Sequence, residues 1–182
     1  MDIIKNRFST RIFSEKLLSE DEISLLFEAA RWAPSAFNNQ PWRFIFADKK
    51  NKSELFDKIF DSLVPQNQVW AKNAPLLVVN IALKKYETKD SENPNAAFEL
   101  GMAVGNLLGQ ATAMGLHARQ MAGFSKEKLI QNLMLPEKYN PITVMAVGYR
   151  GKPKHLSENL KKMEPEFAER TRKPLIDLFI PN

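Results

Sequence analysis

The chain contains no cysteine and only two histidines among its 182 residues. Without cysteine there is no disulfide framework, no thiolate nucleophile and no sulfur ligand for a structural metal. His117 and His155 stand far apart and fit no metal-ligand spacing, so no metal site is expected, which leaves carboxylate-only sites as the one metal chemistry open. Also missing is an apolar run at the start. MDIIKNRFSTRIF is charged throughout, and a signal peptide is therefore not expected. No internal repeat, low-complexity tract or linker interrupts the chain, and its length suits one domain over residues 1–182. The expectation is a soluble, cytoplasmic protein.

What is present begins with charge and apolar mass. The net charge is +5, the pI is about 9.4, and 44% of the residues are hydrophobic, enough for a sizeable core. A basic balance points to an anionic partner, either a phosphorylated small molecule or nucleic acid. The lysines are dispersed, as in KKNK at 49–52 and KK at 84–85, and read as solvated faces. No nucleic-acid recognition motif or aromatic–basic array accompanies them.

The stretch from Ala96 to Ala118 is nearly all apolar, interrupted only by Glu99, Asn106, Gln110 and Thr112 before His117. As a helix it would run about 35 Å. Gly101, Gly105 and Gly109 recur at helical spacing, and Ala113 continues the row. Such a stripe lets another backbone approach closely. Interior glycines cost roughly 1 kcal/mol each relative to alanine, so some packing must offset them. Two readings stand: a buried central helix, or a helix shared across a two-fold dimer. Polar residues mid-segment and the lack of a second span argue against a membrane helix.

In chain order, Arg7, Ser9 and Arg11 alternate in RFSTR. In an extended segment they point the same way, giving either an anion site or a solvated arm. Ser19 and Glu22 form a capping-box pattern, and Ile23, Leu26, Phe27 and Ala30 follow at helical spacing. Pro34 ends that helix. The loop from Ala33 to Trp42 packs Ser35, Asn38, Asn39 and Gln40 between Trp32 and Trp42. It reads as a heterocycle-binding edge or as a turn of Asn side chains. A strand is predicted at 43–47, a helix at 53–63 and an amide-rich loop at 65–73. A buried strand is predicted at LLVVNIAL (76–83), then a charged surface loop at 84–93. The central helix starts between Asn93 and Asn95. After it come a short strand in HARQMAGF, a helix capped by Ser125 and ending near Leu135, and a buried strand at 141–149. Residues 151–162 read as a basic connection, Arg170 and Arg172 as a second basic pair, and 175–181 as an apolar tail that wants covering. This is an α+β layout, a modest sheet against helices.

Several of these blocks together resemble the flavin-dependent nitroreductase family: RFSTRIF, ARWAPSAFNNQPWRF, FELGMAVGNLLGQATAMGL, MAGF, AVGY and RTRKPL. They come in the family's order across nearly the whole chain. The resemblance implies a nitroreductase-like fold with a central, mostly antiparallel sheet flanked by helices. It implies a homodimer with the long helix in the two-fold interface, and a C-terminal strand, Leu175 to Ile180, exchanged with the partner. It implies bound FMN in two interface clefts, NAD(P)H as co-substrate, and a small-molecule oxidant of nitroaromatic or quinone type. Carried over by position, Arg7, Phe8, Ser9 and Arg11 correspond to the first flavin contact. Arg7 and Ser9 would hold phosphate and ribityl groups, with Arg11 near the N1 and O2 edge. Pro34, Ser35, Ala36 and Asn38 match the loop reaching the other subunit's flavin, and Asn67 an amide at its pyrimidine side. Met121, Ala122 and Gly123 match the segment beside flavin N5, with the Gly123 N–H as donor. Arg170 and Arg172 match the C-terminal phosphate pair. No catalytic side chain is nominated, because the flavin would carry the chemistry.

Two departures from the family's pattern stand out. Ala122 occupies a position where several relatives have Glu, and the helical insertion of larger relatives is missing. Both imply a more open pocket with loose substrate selection. The same scaffold also hosts reductive dehalogenation and flavin breakdown, and a non-catalytic FMN-binding protein is a further alternative.

Overall fold

The computed structural model describes residues 1–152 and 170–180. Four strands form one sheet: β1 (Trp42–Asp48), β2 (Leu76–Leu83), β3 (His117–Met121) and β4 (Tyr139–Gly148). Their order is β1-β2-β4-β3, and every pairing is antiparallel. The expected α+β fold class is therefore observed.

Strand β2 is buried at every position because helices cover both faces of the sheet. One layer is α2 (Glu20–Arg31) and α5 (Ala96–Ala113), packed on Leu76, Val78, Ala82, Met145 and Val147. The opposite layer holds α3 (Ser53–Phe60), α4 (Pro65–Ala71) and α6 (Lys126–Leu133), packed on Leu77, Val79, Ile81, Val144 and Ala146. Alternate residues of each strand feed opposite cores, as the two-residue period requires. A strand covered twice reads as one apolar run rather than an alternation, which is why LLVVNIAL looks as it does.

Local sequence accounts for most element ends. At the start of α2 the Ser19 side chain accepts from the Glu22 N–H, while the Glu22 carboxylate accepts from the Ser19 N–H at 2.7 Å. Ser125 caps α6 by accepting from the Lys128 N–H. The central helix ends at Ala113, five residues short of the predicted stretch, because Gly115 turns the chain with φ +71°. The helix predicted over 53–63 stops at Phe60.

Two elements differ from expectation. Residues 65–73 are not a loop: Pro65 opens α4, a position where its missing N–H costs nothing. The exposed amides Gln66 and Gln68 disguised a helix whose buried face is Trp70 and Ala71. Residues Asp2–Asn6 form α1, a helix of five residues at the start. The tail also differs within the single chain. Leu175–Leu178 is a 3-10 turn, not a strand, and the side chains of Leu175, Ile176, Leu178, Phe179 and Ile180 are exposed. The expected exchange with a partner is a property of a dimer and is taken up as a proposal below. His155 and most of the predicted 151–162 connection lie outside the described residues.

Along α5, one side is buried and the other shows Ala97, Phe98, Gly101, Gly105 and Asn106 to the surface. A Cβ added at Gly101, Gly105 or Gly109 would meet nothing within 4 Å. The glycines are therefore not required by packing inside this chain. Among the described residues, no helix is long and apolar enough to cross a membrane.

Candidate flavin site

The N-terminal segment is pinned where it passes the end of β4. Ser14 N–H donates to the Tyr149 carbonyl and Gly151 N–H to the Ile12 carbonyl. A Cβ at Gly151 would lie 2.8 Å from the Phe13 carbonyl oxygen, so only glycine permits this approach. The tether presents Arg7, Phe8 and Ser9 beside β3. Arg7 Nη1 donates to Ser9 Oγ at 2.8 Å, so these two side chains share a side, as the alternation predicts. Arg119, from β3, donates to the Ser9 carbonyl at 2.6 Å, and its guanidinium lies 5.5 Å from the Trp70 ring centroid. Arg150 stacks 5.1 Å over the Phe8 ring. Thr10 is fully buried and Arg11 half-buried.

The other end of the chain returns to this place. Arg170 Nη1 donates to the Ile4 and Lys5 carbonyls at 3.1 and 2.7 Å, closing the C-terminus of α1. Arg172 is exposed and donates to its neighbour's carbonyl, Thr171 O, at 2.6 Å. Burial lowers the Arg7 pKa below the usual guanidinium value, and the charges of Arg170 and Arg172 lower it further. Among the described residues no carboxylate pairs with any of the three. Three guanidiniums in one another's field, with no carboxylate partner among the described residues, have the chemistry to bind an anion with several acceptor oxygens.

A second group lies at the end of β3. After Met121, which is buried, the chain turns through Ala122 and Gly123. The Gly123 carbonyl accepts from the Val64 N–H at 3.1 Å and from Asn67 Nδ2 at 2.9 Å. Its own N–H has no acceptor among the described residues. A Cβ here would stand 2.9 Å from both Asn67 Nδ2 and Val64 Cγ2. The turn thus leaves one backbone donor unused beside a tight cradle. Asn67 has a task the sequence did not suggest, since its amide holds the turn.

The loop Pro34–Asn38 forms a third group. A 3-10 turn spans Ala36–Asn38, and Phe37, Asn38 and Gln40 all have positive φ. Glu99, buried in the first turn of α5, accepts from the Ala36 N–H at 2.7 Å. Asn93 Nδ2 donates to its other oxygen at 3.3 Å. Gln40 N–H donates to Ser35 Oγ, and Glu87 N–H to Asn39 Oδ1. The loop borders a cleft of about 320 Å³ together with Asn95, Phe98, Glu99 and Met102.

The sequence model of the nitroreductase family matches residues 4–149. The chain belongs to the nitroreductase family. Protein DrgA of Synechocystis is 30% identical, with 82% of this chain and 83% of that protein aligned. A protein of Archaeoglobus fulgidus, named as an NADH dehydrogenase/NAD(P)H nitroreductase, is 28% identical over 94% of this chain and 97% of its own length. A solved structure described as an oxidoreductase containing FMN superposes with a TM-score of 0.89 at 28% identity, covering 99% of this chain and 90% of that one.

Within this nitroreductase-family chain, the candidate residues thus fall into the three groups above. The loop's hydrogen bonds run to Glu99, to Glu87 and within itself. Arg119 and Glu99 were not singled out from the sequence. The signal for Glu99 was a carboxylate in the apolar central helix; Arg119 lies in the polar strand HARQM, where nothing local marks it. Among the described residues no cluster of three or more His, Asp or Glu could hold a metal ion.

Proposed function

We propose that this chain is an FMN-dependent NAD(P)H oxidoreductase, acting as a homodimer on nitroaromatic or quinone-type small molecules. The observation that carries the reading is the convergence of Arg7, Arg170 and Arg172, from both ends of the chain, with no carboxylate among the described residues to neutralise them. The unused N–H of Gly123 in a cradle too tight for a Cβ supports it, as do the names of the relatives.

When bound, FMN would supply reversible two-electron redox chemistry between NAD(P)H and the oxidant. The chain's own residues bind and orient. Arg7 and Arg172 would hold the phosphate, while Arg170, bonded to the Ile4 and Lys5 carbonyls, keeps the Arg7 segment in register. Ser9 would meet the ribityl chain, with Phe8 beside it, and Arg11 would serve the N1 and O2 edge. Gly123 would offer its N–H to the N5 side, with Met121 and Ala122 beside it. Asn67 fixes that turn and would face the pyrimidine side. Pro34, Ser35, Ala36 and Asn38 reach the partner's cleft. The exposed glycine side of α5 packs on its two-fold mate, and the tail from Leu175 to Ile180 covers the partner. No side chain is required as a general acid or base.

Donor and oxidant share one cleft, so the kinetics are ping-pong, with parallel double-reciprocal lines. The test is an absorption spectrum of the purified protein followed by anaerobic addition of NADPH. A flavin spectrum that bleaches with NADPH is expected. A colourless, monomeric preparation that ignores added FMN overturns the reading.

A further inference from the structure

Phe37 is one of four non-glycine residues at positive φ among the described residues, with Asn38, Gln40 and Met134. It is a bulky residue at φ +55°, a region that costs of order 1–3 kcal/mol for anything but glycine, asparagine or aspartate. It also leaves 75% of its surface exposed, so burial does not recover that cost. Its backbone is held from both sides, by the Glu99 carboxylate on Ala36 and by Asn39, whose Oδ1 accepts from the Glu87 N–H at 3.0 Å. The strain is thus fixed by the surroundings and presents an aromatic ring to solvent.

The ring has two neighbours, both from the charged surface loop before α5. Tyr86 meets it edge-on, with centroids 6.0 Å apart. The Lys89 ammonium lies 3.8 Å over the Phe37 centroid and 5.3 Å from that of Tyr86. Two acids of that loop are engaged elsewhere, Glu87 with Arg43 at 2.9 Å and Asp90 with Lys85 at 2.8 Å, and the third, Glu92, acts on Lys85. No carboxylate among the described residues pairs with Lys89. The ammonium lies over one face of Phe37, and three-quarters of the residue's surface stays exposed. An exposed aromatic ring beside a cation with no carboxylate partner among the described residues suits a flat aromatic ring bearing a negative charge.

We infer that Phe37, Tyr86 and Lys89 form the specificity-determining platform for the oxidant. Phe37 stacks on the acceptor's ring, and Lys89 selects rings that carry a carboxylate or sulfonate. This rests on the proposed function, in which the Pro34–Asn38 loop reaches the partner's cleft, so each platform serves the flavin of the other subunit. The net charge of +5 favours the approach of the same anionic class.

The test uses the FMN-loaded protein with 4-nitrobenzoate and the neutral 4-nitrobenzamide, which share ring and nitro group. Calorimetric titration of the oxidised protein gives affinity, and steady-state turnover gives kcat/KM. Lys89→Glu raises the Kd for 4-nitrobenzoate about five- to tenfold, as expected for reversing one exposed charge, and leaves 4-nitrobenzamide within about twofold. Phe37→Gly, which suits the positive φ, weakens both ligands about tenfold. Equal effects of Lys89→Glu on the two ligands overturn the inference. So does unchanged affinity in Phe37→Gly, or a Phe37→Gly protein whose one defect is loss of the dimer. Wild-type protein that binds no FMN fails the functional proposal instead, a result visible in the spectrum before either ligand is added.

Discussion

Arg7 is the residue on which the proposed anion site turns. Its guanidinium is partly desolvated and lies within the fields of Arg170 and Arg172, so it is the cation most relieved by a bound phosphate. Replacing Arg7 or Arg172 by alanine removes a charge-assisted bond worth roughly 1.5–3 kcal/mol. Each variant should lose FMN at least about tenfold more readily, read by equilibrium dialysis of the flavin. Retention of full flavin in both variants would remove the phosphate assignment. Gly123 tests the other end of the cofactor. In Gly123→Ala the new methyl meets Val64, whose branched side chain is stiff at χ1, and an Asn67 amide already committed to the Gly123 carbonyl. Overpacking of this kind costs about 1–3 kcal/mol. A lowered Tm together with weaker FMN binding is expected, and an unchanged protein would show that the cradle yields easily.

At the scale of elements, α2 and α5 make separable predictions. The Glu22 carboxylate accepts the Tyr149 hydroxyl proton, the largest cause of its pKa lying below the usual 4.5, and then the Ser19 N–H. Because the folded value is depressed, this contribution is complete above about pH 4.5 and fades as pH falls through the folded value. Glu28, farther along α2, is held down to about 2 by Arg31 and then by Trp32. Acidification from pH 5 to pH 3 should therefore lower the Tm. Glu22→Gln keeps the capping geometry without the titration, so its Tm should fall less over that interval. In α5, Glu99→Ala leaves the Ala36 N–H and the Asn93 amide without their acceptor. Stranding such groups costs about 1–3 kcal/mol, measurable by urea denaturation. The same variant should loosen the Pro34–Asn38 loop, seen as faster amide exchange at Ala36.

The whole molecule poses the question of its second copy. Gly105 is exposed, and a side chain there meets nothing in this chain. A glutamate should even favour the helix slightly over glycine. Gly105→Glu is thus neutral for the monomer, and any loss of assembly comes from the partner surface. Sedimentation should show a monomer, with the flavin lost alongside. An unchanged profile would take α5 out of the interface. The exposed apolar tail from Leu175 to Ile180 belongs to the same question, since a monomer has no use for five uncovered apolar side chains.

The amino-acid sequence by itself determined the local events. The Ser19–Glu22 cap, the apolar run of the strand LLVVNIAL and the side shared by Arg7 and Ser9 all depend on neighbours a few residues away. It missed α4, because exposed amides carry no apolar period, and it overran α5, because apolar residues continue past the turn. Only the tertiary structure decided which distant residues meet. Arg170 closes on Lys5, 165 positions away, Asn67 on Gly123, 56 away, and Glu99 on Ala36, 63 away. Such contacts are set by how helices seat on the two faces of the sheet. That seating is a collective result of core packing, and no local period records it.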